Sequence, residues 1–156
     1  MGLKLIGLLL LVNCLTPASA QVTYLINSAN NGDFESGSAN WTIVNGTQKN
    51  KWYIGTAFKC SAANGAFVGS SSTVNTYDNS RSSTVHLYRD VVFPAGSCQI
   101  SLSFDFKGVG QSSRDYMRVY IVPTTTAPSA GNALLAQSTL LAEIFNLSSV
   151  PILHID

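Results

Sequence analysis

The stretch QISLSFDFK, residues 99–107, changes character at every step, with Ile100, Leu102, Phe104 and Phe106 set against Ser101, Ser103, Asp105 and Lys107. Successive side chains of a strand point to opposite faces, so a period of two predicts a half-buried antiparallel strand. DYMRVYIV, residues 115–122, repeats the pattern: Met117, Val119 and Ile121 oppose Tyr116, Arg118 and Tyr120. The intervening GVGQSSR is a glycine-containing loop of hairpin type, and predicts that the two strands pair. STVHLYRDVVFP, residues 83–94, reads as a third strand stopped by Pro94, which has no N–H to give a ladder. KWYIGT and GAFVGSS read as shorter strands bending at glycine. NALLAQSTLLAEIF, residues 132–145, fits neither a helical nor a strand period and supports no assignment. Short strands between turn residues, without alternating helices, predict an all-β sandwich.

The first twenty residues set the expected compartment. MGLK gives a short basic start, LIGLLLLV an apolar run of signal-peptide length, and PASA ends in the small-residue pattern cut by a signal peptidase. Residues 1–20 are therefore expected to be a signal peptide and 21–156 a single exported domain beginning at Gln21. Lipid attachment at Cys14 is the rival reading, disfavoured because Asn13 stands where a small residue is wanted. No later apolar run reaches the length of a membrane span. Loss of Lys4 leaves eight basic and eight acidic residues. Neither nucleic acid nor an anionic membrane surface is an expected partner of such a balance. With charged residues at 11% of the chain, neutral polar groups must cover the surface, as suits sugars and other neutral polymers. Cys60 and Cys98 remain after cleavage. In an oxidising compartment they are expected to form a disulfide worth about 3–4 kcal/mol, two buried thiols being the alternative.

Catalytic motifs are missing from the sequence. It contains no G-x-S-x-G, H-E-x-x-H or P-loop, and GVGQSS at 108–113 lacks the third glycine of a dinucleotide loop. His86 and His154 stand alone, without the clustered partners a metal needs. Asp105 and Asp115 could meet near the predicted hairpin, but Asp115 beside a loop reads as a turn residue. The expectation is a non-enzymatic protein. In the predicted hairpin, Asp105 shares the outer face with Tyr116, Arg118 and Tyr120. Rings beside a carboxylate and a guanidinium suit a sugar, although the same residues also serve as cross-strand neighbours on any half-exposed sheet.

FESGSANW, NKWYIGT, LYRDVVFPAG, ISLSFDFKGVGQSSRDYMRVYIVPTTTAPSAG and IFNLSS, in that order, resemble the jelly-roll domains of bacterial surface and secreted proteins known as cleaved-adhesin, choice-of-anchor J or MAM-like domains. The resemblance spans about residues 33–149. It implies an antiparallel jelly-roll β-sandwich, secreted or at the cell surface, that contacts polysaccharide or extracellular matrix without catalysis. An accessory domain of a larger secreted peptidase or glycoside hydrolase is the alternative it leaves open. It also implies that Phe34 and Trp41 enter the core at the start of the first strand. Asp33 and Glu35 become candidates for a structural calcium, which needs six to eight oxygens. Calcium-binding members carry an Asp-rich run where TIVNGTQKNK, residues 42–51, has no carboxylate. Members also continue past the FNLSS position with further strands, whereas VPILHID follows here, so the resemblance implies a sandwich incomplete at its C-terminus.

Overall fold

The computed structural model describes residues 22–59, 62–97, 100–108, 110, 111, 114–134, 139–145 and 152–155, the last two segments through their backbone. A 3-10 turn at Ser28–Asn30 precedes eight strands: β1 (Thr42–Val44), β2 (Lys51–Gly55), β3 (Gly65–Gly69), β4 (His86–Tyr88), β5 (Leu102–Asp105), β6 (Tyr116–Ile121), β7 (Thr139–Phe145) and β8 (Ile152–Ile155). The fold is all-β, in small antiparallel ladders. The pairings are nested: β1 with β4 encloses β2 with β3, and β5 with β8 encloses β6 with β7.

β2 and β3 pair over their full length, from Lys51 opposite Gly69 to Gly55 opposite Gly65. This pairing puts Phe67 across from Tyr53, with ring centroids 5.7 Å apart. Phe67, 4% exposed, is the buried hydrophobic side chain of the described residues. Burial of a ring that size is worth about 1.5–3 kcal/mol. A side chain at Gly69 would lie 2.7 Å from the Thr76 carbonyl, where the Ser70 N–H closes the following loop on the same oxygen at 2.8 Å.

Asparagines hold these short strands in place. Asn45, just past β1, accepts from the Trp52 N–H at 2.7 Å and donates to the Trp52 carbonyl at 2.9 Å. Asn50, fully buried, repeats the arrangement on Asp78: Nδ2 donates to the carbonyl at 2.7 Å and Oδ1 accepts from the N–H at 2.9 Å. A carboxamide carries one donor side and one acceptor side, like a peptide group, so it can complete a backbone where no strand is available. Trp52 adds a bond from its indole N–H to the Val85 carbonyl, tying β2 to the approach of β4.

The sequence predicted the strands better than their partners. In β5, Leu102 and Phe104 are half-buried and Ser103 and Asp105 exposed, as the alternation requires. The predicted hairpin between 99–107 and 115–122 does not form: β5 takes β8 as its neighbour and β6 takes β7. The connecting loop instead closes on itself. The Arg114 and Asp115 N–H groups donate to the Gln111 carbonyl, and the Gln111 N–H donates to Asp115 Oδ2 at 2.7 Å. The unassigned stretch 132–145 supplies β7, and the tail supplies β8. Only His86–Tyr88 of the predicted strand 83–94 lies in a ladder, against β1. Among the described residues no helix is long and apolar enough to cross a membrane.

Candidate functional site

The stretch NGDFESGSANW, residues 31–41, folds as a turn around one side chain. Asn31, 4% exposed, donates to the carbonyls of Gly37 at 2.9 Å and Ala39 at 2.7 Å, and accepts from the Ser36 N–H at 2.8 Å. Its own carbonyl accepts the Trp41 indole N–H at 2.8 Å. Asn31 sits at φ +65°, a left-handed conformation that asparagine adopts readily. Phe34 holds a similar φ of +63° without that ease, at a cost of about 1–2 kcal/mol. Its ring packs on Trp41 with centroids 4.9 Å apart, which helps to offset that cost. Trp41 stands directly before β1 as expected. Both rings remain half-buried, however, and Phe34 belongs to the turn.

Asp33 and Glu35 face different partners. Asp33 Oδ1 accepts the Glu35 N–H at 3.3 Å, closing a local turn. The Glu35 carboxylate reaches Asn64, accepting its backbone N–H at 2.7 Å and its carboxamide at 3.5 Å. Among the described residues no group of three or more His, Cys, Asp or Glu side chains is placed to hold a metal ion. Cys60 and Cys98 lie outside the described residues.

Trp41 leads to a groove. The Arg89 guanidinium lies 5.1 Å from the Trp41 ring centroid, and its Nη1 donates to the Asn30 carbonyl at 3.1 Å. Arg89 follows β4 directly, and the groove runs between the segments that leave β4 and β6. Tyr88, Phe93 and Tyr120 supply its rings, and Arg89, Asp90 and Thr124 are among its polar groups. It encloses about 140 Å³. β4 ends at Tyr88 and β6 at Ile121, and each segment then runs outside any ladder to a proline, Pro94 or Pro123, that has no N–H to donate. Each then turns, with the Ser97 N–H on the Pro94 carbonyl at 3.2 Å and the Thr126 N–H on the Pro123 carbonyl at 2.9 Å. Phe93, 36% exposed, and Ile121, 37% exposed, keep apolar surface at this groove.

The walls are held together at one end. His86 Nε2 lies 3.1 Å from the Ser129 carbonyl and 3.0 Å from the Asn132 carbonyl. Two acceptors around one ring nitrogen require that nitrogen to carry the proton. The Gly131 N–H returns a bond to the Thr84 carbonyl at 2.8 Å. The loop after Pro128 is thereby fastened to the edge of β4, and the segment before it forms the second wall.

The four residues predicted to share one binding face are divided. Tyr116 and Arg118 do lie together on the exposed face of β6, with the guanidinium 4.4 Å from the Tyr116 ring centroid. Tyr120 lies past a register shift at Val119/Tyr120, is half-buried, and lines the groove. Asp105 is exposed on β5, in a different ladder. Tyr88, Phe93 and Thr124 escaped the sequence reading. Their signal was that YRDVVFP and YIVP each run from a tyrosine through apolar residues to a proline.

Electrostatics single out a spot away from the groove. The Tyr77 hydroxyl donates to Asp115 Oδ1 at 3.0 Å. Burial, and next the Asp115 carboxylate, push the Tyr77 phenol up to about 12. Asp78 is held below the usual carboxylate range, first by the Ser80 hydroxyl and next by the Ser80 N–H. Both bonds organise loops, and the chemistry offered by the groove is stacking and hydrogen bonding. Compared with protein families, with curated proteins and with solved structures, the chain matches none of them.

Proposed function

We propose that this chain is an exported, non-catalytic adhesin-type module of the jelly-roll class resembling cleaved-adhesin and MAM-like domains, and that it contacts polysaccharide or extracellular matrix through the groove between β4 and β6. The observation that carries the reading is the grouping of Tyr88, Phe93 and Tyr120 beside Arg89, Asp90 and Thr124. Rings stack on the apolar face of a sugar, and the polar groups beside them take its hydroxyls. A partly open groove suits a polymer that passes through. The balance of eight basic and eight acidic residues after Lys4 is removed favours a neutral one. In support of a β-sandwich of this kind, the strands pair antiparallel in short ladders and no α-helix occurs among the described residues.

The test is affinity electrophoresis through gels containing cellulose, xylan, mannan or galactan derivatives. One polysaccharide should retard the wild type. Phe93→Ala and Tyr120→Ala should weaken that retardation about tenfold or more, since each removes a stacking ring worth about 1–3 kcal/mol on binding. Tyr116→Ala and Arg118→Ala should behave as wild type. Loss of retardation in the second pair alone would move the site to the outer face of β6, and retardation by no polymer would count against a glycan ligand.

A further inference from the structure

The dipeptide Asn-Gly occurs at Asn31-Gly32, Asn45-Gly46 and Asn64-Gly65. Glycine has no side chain to keep its nitrogen away from the carboxamide carbon of the asparagine before it. Attack there forms a bond from the glycine nitrogen to Cγ, breaks the bond from Cγ to Nδ2, and releases ammonia. Water then opens the resulting succinimide to aspartate or isoaspartate. The net change is amide plus water to carboxylate plus ammonium, with no oxidant or reductant. It requires a carboxamide that can swing and a backbone that can rotate to meet it.

The three sites differ in both respects. Asn31 is 4% exposed, its carboxamide makes three bonds, and the N–H of Gly32 is committed to the Asn27 carbonyl at 2.6 Å. Asn45 is fixed at both ends by Trp52, at 2.7 and 2.9 Å. Among the described residues the carboxamide of Asn64 has one long bond, 3.5 Å to Glu35 Oε2. Gly65 stands in the terminal pair of the β2–β3 ladder, opposite Gly55, where opening costs least.

We propose that Asn64 is the site at which the folded chain deamidates spontaneously, and that the new carboxylate, formed beside Glu35, loosens the tie between the 31–41 turn and the start of β3. The product loses the Nδ2 donor and places a second negative charge against the first. In the isoaspartate form the backbone gains a methylene at the head of β3, which shifts the N–H now held by Glu35 at 2.7 Å.

Full-length protein incubated at mildly alkaline pH and sampled over time by peptide mass mapping tests the site, with a denatured sample as control. In the denatured control all three asparagines should convert at similar rates. In the folded protein Asn64 should convert about tenfold faster than Asn31 or Asn45, whose reaction must wait for local opening. Conversion of Asn31 or Asn45 as fast as Asn64, or no conversion at Asn64 while the control reacts, would overturn the assignment. The consequence has its own readout. Asn64→Asp should lower the melting temperature at neutral pH more in the native background than beside Glu35→Gln. Equal losses in the two backgrounds would refute the charge effect.

Discussion

Asparagine carries much of the structure at the residue scale. Asn31, Asn45 and Asn50 each present donor and acceptor to backbone groups that no strand serves, and Asn50 does so with no exposure at all. Asn50→Ala would leave the part-buried Asp78 N–H and carbonyl without their side-chain partner, so urea unfolding should show a loss of about 1–3 kcal/mol. Tyr77 offers a second prediction. Its phenol is raised to about 12, so the folded state holds that proton more tightly than the unfolded chain does. The associated stability is complete below the ordinary phenol value near 10 and disappears as pH rises toward 12. Replacing Tyr77 by Phe should flatten the alkaline loss of stability across that window, and Asp115→Asn should bring the phenol titration, followed by ultraviolet absorbance, back toward 10. Asn31 and Asn45 were hidden in the sequence because an asparagine beside a glycine reads as a turn residue whether or not its side chain reaches a partner. The bonds from Asn50 to Asp78 cross 28 positions, and nothing in the local pattern announces them.

Alternation fixes which face of an element is buried, and leaves its neighbour open. The β5 and β6 patterns were legible because Leu102, Phe104, Met117 and Val119 fall on one side and polar residues on the other. Their pairing was not, because a glycine loop of hairpin length can also close as an Asp115-centred turn. The same limit applied to the site. Period two carried through β6 puts Tyr120 with Tyr116 and Arg118, and the register shift at Val119/Tyr120 falls where that extrapolation fails. β2 and β3 pair over their full length, with Phe67 buried against Tyr53. Phe67→Ala should cost about 3–5 kcal/mol, the usual range for emptying a buried aromatic position. Hydrogen exchange should find the amides of Tyr53 and Phe67 protected longer than those at the ends of the same ladder. Equal protection along the ladder would show that the Phe67–Tyr53 contact does not organise it.

For the whole molecule, the nested ladders bring together segments far apart in sequence. The groove lies between two of these ladders, with Tyr88 of β4 and Phe93 beyond it on one wall, and Tyr120 of β6 and Thr124 beyond it on the other. The His86 bonds to the carbonyls of Ser129 and Asn132 keep the two walls adjacent. A polymer-binding module needs such a surface on a scaffold that does not rearrange, and the proline-ended walls with their tight turns fit that need. The most direct measurement is a titration of ring-labelled tyrosine by NMR with the polysaccharide that retards the protein. With a ligand in the groove, the Tyr88 and Tyr120 ring signals should shift or broaden together while those of Tyr77 and Tyr116 stay in place. Shifts confined to Tyr116, with Tyr88 and Tyr120 unmoved, would contradict binding there.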